Sequence, residues 1–166
     1  TINLHSGTIA GGAAAGAGIF LDGGKNNAIT IDAGVTVSAL SGLAIKGTDG
    51  VDQNNVARVI GNTMIANAGT IFGDVDLGAG VGGLNNQATG IFTTGQAVNL
   101  GSGTMTSAGR IDLGGINNIV TTALTGSFVQ GQTGVLAVDA VFGGKSDVLA
   151  ATGTATAVGR IGADLA

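Results

Sequence analysis

The sequence predicts an all-β chain folded as a right-handed parallel β-helix (β-solenoid) with a C-terminal cap. Three observations predict this fold: short segments of alternating apolar and polar residues, a recurring small residue and glycine at the start of those segments, and 33 glycines with no proline among 166 residues. Proline removes a hydrogen bond from a strand ladder, so its absence favours extended sheet.

The clearest strand is Ile71–Leu77, in which positions 71, 73, 75 and 77 are apolar or glycine and positions 74 and 76 are Asp. A period of two residues is typical of a strand with one buried and one solvated face. Shorter segments repeat the alternation at 29–31, 35–37, 43–45, 98–100, 111–113 and 136–138. We expect the apolar positions to fill the interior and the Gly and Asn sites to form the turns.

The spacing of the segments indicates coils rather than hairpins. Their starts follow Gly69, Gly90, Gly109, Gly134 and Gly153, which are 21, 19, 25 and 19 residues apart. In a parallel solenoid of this repeat length, each strand pairs with its equivalents one coil earlier and one coil later. Right-handed coiling is the rule for parallel crossovers.

The competing prediction is an antiparallel sandwich or barrel. Such a fold needs tight hairpin turns, for which Asp22-Gly23 and Asp49-Gly50 are the best candidates. The commoner turn signals in this chain are longer and contain Gly-Gly, so the solenoid is favoured.

Composition and charge argue against several classes of partner. The formal net charge is −4 and there is no basic run, which argues against nucleic acid. Cysteine is absent, so we expect neither a disulfide nor a thiolate metal site. Glycine interrupts every apolar run well short of a membrane-spanning length. The chain opens at Thr1 without a signal peptide, which we interpret as an excised or processed piece.

Residues 123–161 carry a series of short motifs. These are Leu124-Thr125-Gly126 with Phe128 and Gln130, Gly134-x-Leu136-x-Val138-Asp139, Ser146-Asp147-x-Leu149, and Gly153-x-Ala155. Their order resembles the junction, or autochaperone, region of monomeric autotransporter passenger domains (type V secretion). The resemblance implies β-helix coils over residues 1–122 and an autochaperone-like cap of the same solenoid over 123–166. It also implies a location on the surface of a Gram-negative bacterium or secretion from it, with the protein's own C-terminal outer-membrane barrel as a partner.

The cap has a predicted physical task, because the end of a stacked array exposes an apolar interior and unpaired backbone groups. We expect Leu136, Val138, Leu149 and Ile161 to plug that interior and Phe128 to cover it from one side. Ser146-Asp147 follows a Gly-Gly-Lys turn, and we expect Asp147 to cap this loop rather than to act in catalysis.

Two patterns could indicate catalysis. Asp74 and Asp76 are two residues apart on one strand, so their side chains would lie about 7 Å apart on one face, a separation compatible with a glycosidase pair. Paired outward Asp residues more often protect a sheet from aggregation, and we expect both to face solvent. His5 is the only histidine, and we expect it to be solvated near the chain end.

Two further patterns could indicate ligands. Gly78, Gly80 and Gly83 satisfy a dinucleotide-binding spacing, but no helix is predicted after them, so they predict a turn. Asp49, Asp52 and Asn54 offer oxygen atoms to calcium, without the recurrence that repeat calcium sites need.

Threonines at alternate positions, 104/106 and 152/154/156, would indicate an ice-binding face if they were stacked. No stacked file of threonines is visible in the sequence.

The sequence therefore predicts a non-enzymatic cell-surface passenger segment that acts as a stalk or adhesion scaffold and as a folding seed, without cofactor or metal. One alternative is a self-associating adhesin or filament subunit that meets identical copies, and host or surface ligands are further candidate partners. A polysaccharide-acting β-helix enzyme is the third hypothesis, although five Phe with no Trp or Tyr supply few sugar-stacking surfaces.

Overall fold

The computed structural model describes residues 1–51 and 53–165, and within them every regular element is a β-strand. The strands are β1 (Ile2–Leu4), β2 (Gly7–Gly11), β3 (Ile19–Asp22), β4 (Gly24–Ile31), β5 (Val35–Ala39), β6 (Leu43–Thr48), β7 (Gly50–Val51), β8 (Ala57–Arg58), β9 (Ile60–Asn67), β10 (Thr70–Asp76), β11 (Gly82–Asn86), β12 (Ile91–Ser107), β13 (Arg110–Leu113), β14 (Thr121–Gln130), β15 (Val135–Ala140), β16 (Val148–Ala151), β17 (Ala155–Ala157) and β18 (Arg160–Leu165). The described part of the chain contains no helix with the length and hydropathy needed to cross a bilayer.

Parallel pairing dominates the fold, as the sequence predicted. Sixteen strands form one sheet in which every strand pair is parallel, whereas β7 and β8 form a separate antiparallel hairpin. The main hydrogen-bonded path, β1-β4-β9-β11-β12-β10-β5-β2, starts and ends at N-terminal strands, so the sheet is nearly closed, as in a barrel. The antiparallel sandwich is therefore excluded.

The parallel pairs fall into three series. The first series contains β1, β4, β9, β11, the end of β12, the end of β14, and β17. The second contains β2, β5, the starts of β10 and β12, then β13, β15 and β18. The third contains β3, β6, the end of β10, the middle of β12, the start of β14, and β16. Apart from the β7–β8 hairpin, the chain visits the series in the order first, second, third, again and again.

Each series contributes a column of buried side chains to one core. In the first series the column contains Ile29, Ile65, Leu84, Met105 and Phe128, all paired in register. The second series supplies Val37, Ile71, Phe92 and Ile111, and the third supplies Ile45, Val75, Val98 and Leu124. Burying one such side chain stabilises the fold by about 1.5–3 kcal/mol relative to leaving it in water. The alternation seen in the sequence thus identified most core positions.

The corners before the second-series strands β10, β12, β13 and β15 require glycine, because a neighbouring backbone lies where a side chain would be. A Cβ on Gly109 would lie 2.2 Å from the carbonyl oxygen of Gln87 and 2.3 Å from that of Gly90. Gly69, Gly90 and Gly134 precede equivalent strands and are similarly crowded by carbonyl oxygens.

One glycine equivalence predicted from the sequence is wrong. Val135 pairs with Arg160, so the last member of this corner set is Gly159, not Gly153. Gly153 instead lies against Ser127 and Gly126, at the turn from the third series into the first. Gly153 follows the small residue Thr152, whereas Gly159 follows Val158, so the small-residue-glycine pattern favoured the wrong glycine.

The β7–β8 hairpin is an insertion at one corner. Ile29 pairs with Ile65 and Ile65 with Leu84, so the paired residues are 36 and 19 residues apart, respectively. At the base of the hairpin, Asp49 Oδ1 accepts a hydrogen bond from the Ile60 backbone N–H at 2.8 Å. This contact closes the insertion and lets β9 return to the register of the first series.

We predict that Gly109→Ala lowers the free energy of unfolding by about 1–3 kcal/mol or more, because the new methyl group overlaps two carbonyl oxygens. Gly12→Ala is the matched control, since a Cβ there meets nothing within 4 Å, and it should change stability by less than about 0.5 kcal/mol. Urea unfolding of both variants measures the difference. Equal midpoints would show that the corner is not tightly constrained.

Candidate functional site

The predicted cap residues differ in how deeply they are buried. Phe128 belongs to the buried core, and Leu136, Val138 and Leu149 are partly buried against it. Ile161 is 65% exposed. The prediction that Ile161 plugs the interior is therefore corrected: it pairs with Leu136 in the last second-series strand, so its outer side has no further strand against it.

Asp147 fastens the loop that joins β15 to β16. It is 7% exposed, and its Oδ1 accepts a hydrogen bond from the Val120 N–H at 2.7 Å while its Oδ2 accepts one from the Asp139 N–H at 2.6 Å. Asp139 is also buried, and its Oδ2 accepts from the Asn118 N–H at 2.9 Å. These buried carboxylates thus satisfy backbone donors from neighbouring segments, which agrees with the expected loop-capping role of Asp147.

A column of buried polar side chains lies inside the corner between the first and second series. Its members, paired in register, are Asn67, Asn86, Ser107 and Gln130. Asn67 Nδ2 donates to Asn86 Oδ1 at 2.8 Å, and Asn86 Nδ2 donates to Ser107 Oγ at 3.2 Å. Successive strands of the first series are therefore joined by side-chain hydrogen bonds as well as by backbone hydrogen bonds.

The same side chains also donate hydrogen bonds to backbone carbonyl groups at the turn from the first series into the second. Asn86 Nδ2 also donates to the carbonyl oxygens of Gly90 and Arg110, at 3.1 and 3.0 Å. Gln130 Nε2 donates to those of Gly134 and Arg160, at 2.7 and 2.8 Å. Buried backbone carbonyls need such partners, because water cannot reach them.

The column ends where its neighbours become apolar. Among the residues that the structure describes, Asn67 Oδ1 and Gln130 Oε1 are the buried side-chain oxygens without a hydrogen-bond partner. Asn67 is paired with Ile31 on one side, and Gln130 with Ala157, and neither neighbour has a polar side chain. The sequence does not reveal this column, because Asn sites were expected to form turns, whereas Asn86 points inward at the end of β11.

Asp74 and Asp76 alternate with the buried Gly73 and Val75 on β10, as predicted, but they are not simply solvated. Both are half-buried, and they line different grooves. Asp74 Oδ1 accepts from the Ala97 N–H at 2.9 Å, and Asp76 Oδ1 accepts from Asn99 Nδ2 at 2.8 Å. Both carboxylates thus join β10 to β12 in the third series.

The groove beside Asp74 has a volume of about 620 Å³, and its lining includes Phe72 and Gln96. Among the described residues that form the lining, Asp74 is the one carboxylate and Phe72 the one aromatic residue. A glycosidase needs two carboxylates on opposite sides of the bond that it cleaves, so this groove lacks the arrangement that the enzyme hypothesis requires.

The remaining sequence candidates have structural roles in the described residues. His5 Nδ1 lies 2.7 Å from Asp32 Oδ2, so this side chain is exposed but not simply solvated. Gly78 and Gly80 lie in the turn between β10 and β11 and Gly83 in β11, with no helix after them.

Neither the calcium pattern nor the threonine pattern gives a continuous site. Asp52 lies outside the described residues, and nowhere in 1–51 and 53–165 do three His, Cys, Asp or Glu side chains cluster with metal-binding geometry. Thr104, Thr106 and Thr156 belong to the first series, but Val129 stands between Thr106 and Thr156. The threonines therefore form an interrupted column.

Comparison with known proteins adds no assignment: no protein family, curated protein or solved structure matches the chain. The likeness of residues 123–161 to an autotransporter junction therefore rests on the sequence motifs alone.

We predict that Asn86→Asp lowers the free energy of unfolding by about 3–5 kcal/mol, because it places an unpaired charge among the carbonyl oxygens of Gly90 and Arg110. Asn85→Asp is the matched control, since Asn85 is exposed and accepts a hydrogen bond from Thr106 that a carboxylate can also accept. Urea unfolding should leave the control within about 0.5 kcal/mol of the parent chain. Similar losses in both variants would contradict a structural role for the inner column.

We also predict that Asp147→Asn costs about 1–3 kcal/mol, because its amide group cannot accept from one of the two N–H donors that the carboxylate now satisfies. Asp164→Asn, at an exposed position, is the control. Limited proteolysis should cleave residues 141–146 faster in Asp147→Asn alone. Unchanged protection of this loop would mean that Asp147 does not fasten it.

Proposed function

We propose that the chain is a right-handed parallel β-solenoid that serves as a non-enzymatic scaffold on the surface of a Gram-negative bacterium, with residues 123–166 as its cap and folding seed. The observation that carries the proposal is the repeated visiting order of the three strand series. A chain that adds one strand to each of three stacks per coil, always in the same order, is what a three-sided solenoid requires. Right-handedness follows the general rule for parallel crossovers.

The cap role is supported by what residues 123–166 contact. Ala123–Thr125 and Ser127–Gln130, within β14, pair with β12 in the third and first series, and β15 pairs with β13 in the second. Removing this segment would expose the N–H and C=O groups of β12 and β13 together with Val98, Met105 and Ile111, which are now fully buried. Exposed strand edges and apolar side chains of this kind would promote aggregation.

The scaffold role is supported by the hydrogen-bonded use of the acidic side chains. Asp74, Asp76, Asp139 and Asp147 all accept hydrogen bonds that join neighbouring segments. The surface location is supported by the motifs between Leu124 and Ala155 that resemble an autotransporter junction.

Surface display tests the location. The chain would be expressed in a Gram-negative host between a signal peptide and a β-barrel translocator, and protease would be added to intact cells. We expect the chain to reach the surface and to resist protease, because a solenoid satisfies its backbone internally. Retention in the periplasm, or complete digestion at the surface, would contradict the proposal.

The folding-seed role predicts a kinetic effect of Leu136→Ala. We expect it to cost about 2–5 kcal/mol and to slow refolding while leaving the unfolding rate nearly unchanged, because contacts of a seed already exist in the transition state. Val37→Ala is the matched control, since Val37 belongs to the opposite end of the second series, and it should mainly speed unfolding. Stopped-flow urea kinetics measure both. The reverse pattern would place the seed at the N-terminal end.

A further inference from the structure

The outer face of the first series differs from the other two outer faces in charge. One outward column contains Ala28, Met64, Gly83, Thr104 and Ser127, and the neighbouring outward column contains Thr30, Ala66, Asn85, Thr106 and Val129. We call these ten residues the first-series face. None of them is charged.

The other outer faces carry ion pairs and mixed charges. On the second series, Arg110 Nη2 lies 3.0 Å from Asp112 Oδ2 and 3.9 Å from Asp164 Oδ2. On the third series, Lys46 and Asp76 are paired in register. Surfaces that contact only solvent usually mix charges in this way. The first-series face therefore lacks the charged side chains that hinder the other faces from associating with identical faces.

The first-series face also has an exposed methionine side chain beside a surface hollow. Met64 is 54% exposed, and its Sδ and Cε lie over Gly83, within 2.6 Å of where a Cβ would stand. Next to it is a hollow of about 290 Å³ whose lining includes Gly83, Gly103 and Val81. Met64 is unbranched and flexible, so it can adapt to an opposing surface.

We propose that the first-series face is an interface with a second copy of this chain, packed face to face about a two-fold axis. An isologous interface uses the same patch twice, so a charged patch would oppose like charges, whereas this one opposes none. An axis near Gly83 brings Met64 of each copy towards the glycine-lined hollow of the other. The net charge of −4 then stays on the outer faces of the pair.

The area of the face sets the expected affinity. Five strands about 4.8 Å apart, with a rise of about 3.3 Å per residue over five residues, make the face roughly 24 Å by 16 Å. Two such faces bury about 800 Å² in total, below the roughly 1,000 Å² of a stable specific interface and in the range of weak, transient contacts. The association should therefore be weak, with a dissociation constant in the micromolar range or above.

Sedimentation velocity of the whole chain, from about 1 μM to about 500 μM, tests the interface. We expect a reversible monomer–dimer equilibrium that is not weakened by added salt, because no charge pair forms across the interface. Thr106→Lys should weaken the dimer at least tenfold, because it opposes like charges across the axis. Thr70→Lys is the matched control on a second-series strand and should leave the dimer unchanged.

Met64→Lys is a second interface variant at an already exposed side chain, and it should also weaken the dimer at least tenfold. Circular dichroism and the urea midpoint verify that each variant folds. Association that persists in Thr106→Lys and Met64→Lys but is lost in Ile161→Lys would place the contact at the end of the stack and overturn the proposal. A chain that remains monomeric at every concentration would also overturn it. The inference rests on the stacked fold and not on the cell-surface role, so a folded monomer would leave the proposed scaffold function standing.

Discussion

The parallel register between each strand and its equivalent in the next layer is the constraint on which the rest of the structure depends. It aligns Ile29, Ile65, Leu84, Met105 and Phe128 into one buried column. The same register places Asn67 beside Asn86 and Asn86 beside Ser107, so that short side chains can bond layer to layer. A slip of one residue would turn every inward side chain to the outside, and the core and the amide column would be lost together.

The corners follow from this constraint. Where the chain turns from the first series into the second, successive turns lie so close that only glycine fits, as at Gly109. The turn also leaves carbonyl groups without sheet partners, and the amides of Asn86 and Gln130 bind them. Tight turns and buried amides are thus two parts of one solution to the backbone hydrogen-bonding problem.

Sequence reasoning predicted parallel pairing and most core positions, because both follow from alternation and from repeat spacing. It could not place Asn86, since an asparagine at the end of a strand has the same local sequence whether it turns the chain or points inward. It aligned Gly153 where Gly159 belongs, because the deciding contact is with Gly131 and Gly134 of another layer. It treated Asp74 and Asp76 as simply solvated, because the Ala97 N–H and the Asn99 amide that bind them belong to the next strand of the stack. In each case the missing information was a contact between layers.

The β7–β8 hairpin shows that the pairing of two strands in a series does not depend on how many residues separate them along the chain. Paired residues in the first series are 36 residues apart across this insertion and 19 apart in the next layer, yet both pairs belong to the same column. Because Asp49 closes the insertion at its base, segments of different length and composition can be exchanged there during evolution without disturbing the layers. The corner is thus a place where the protein can acquire new surface while keeping its framework, and the same corner would suit the grafting of a foreign peptide for display.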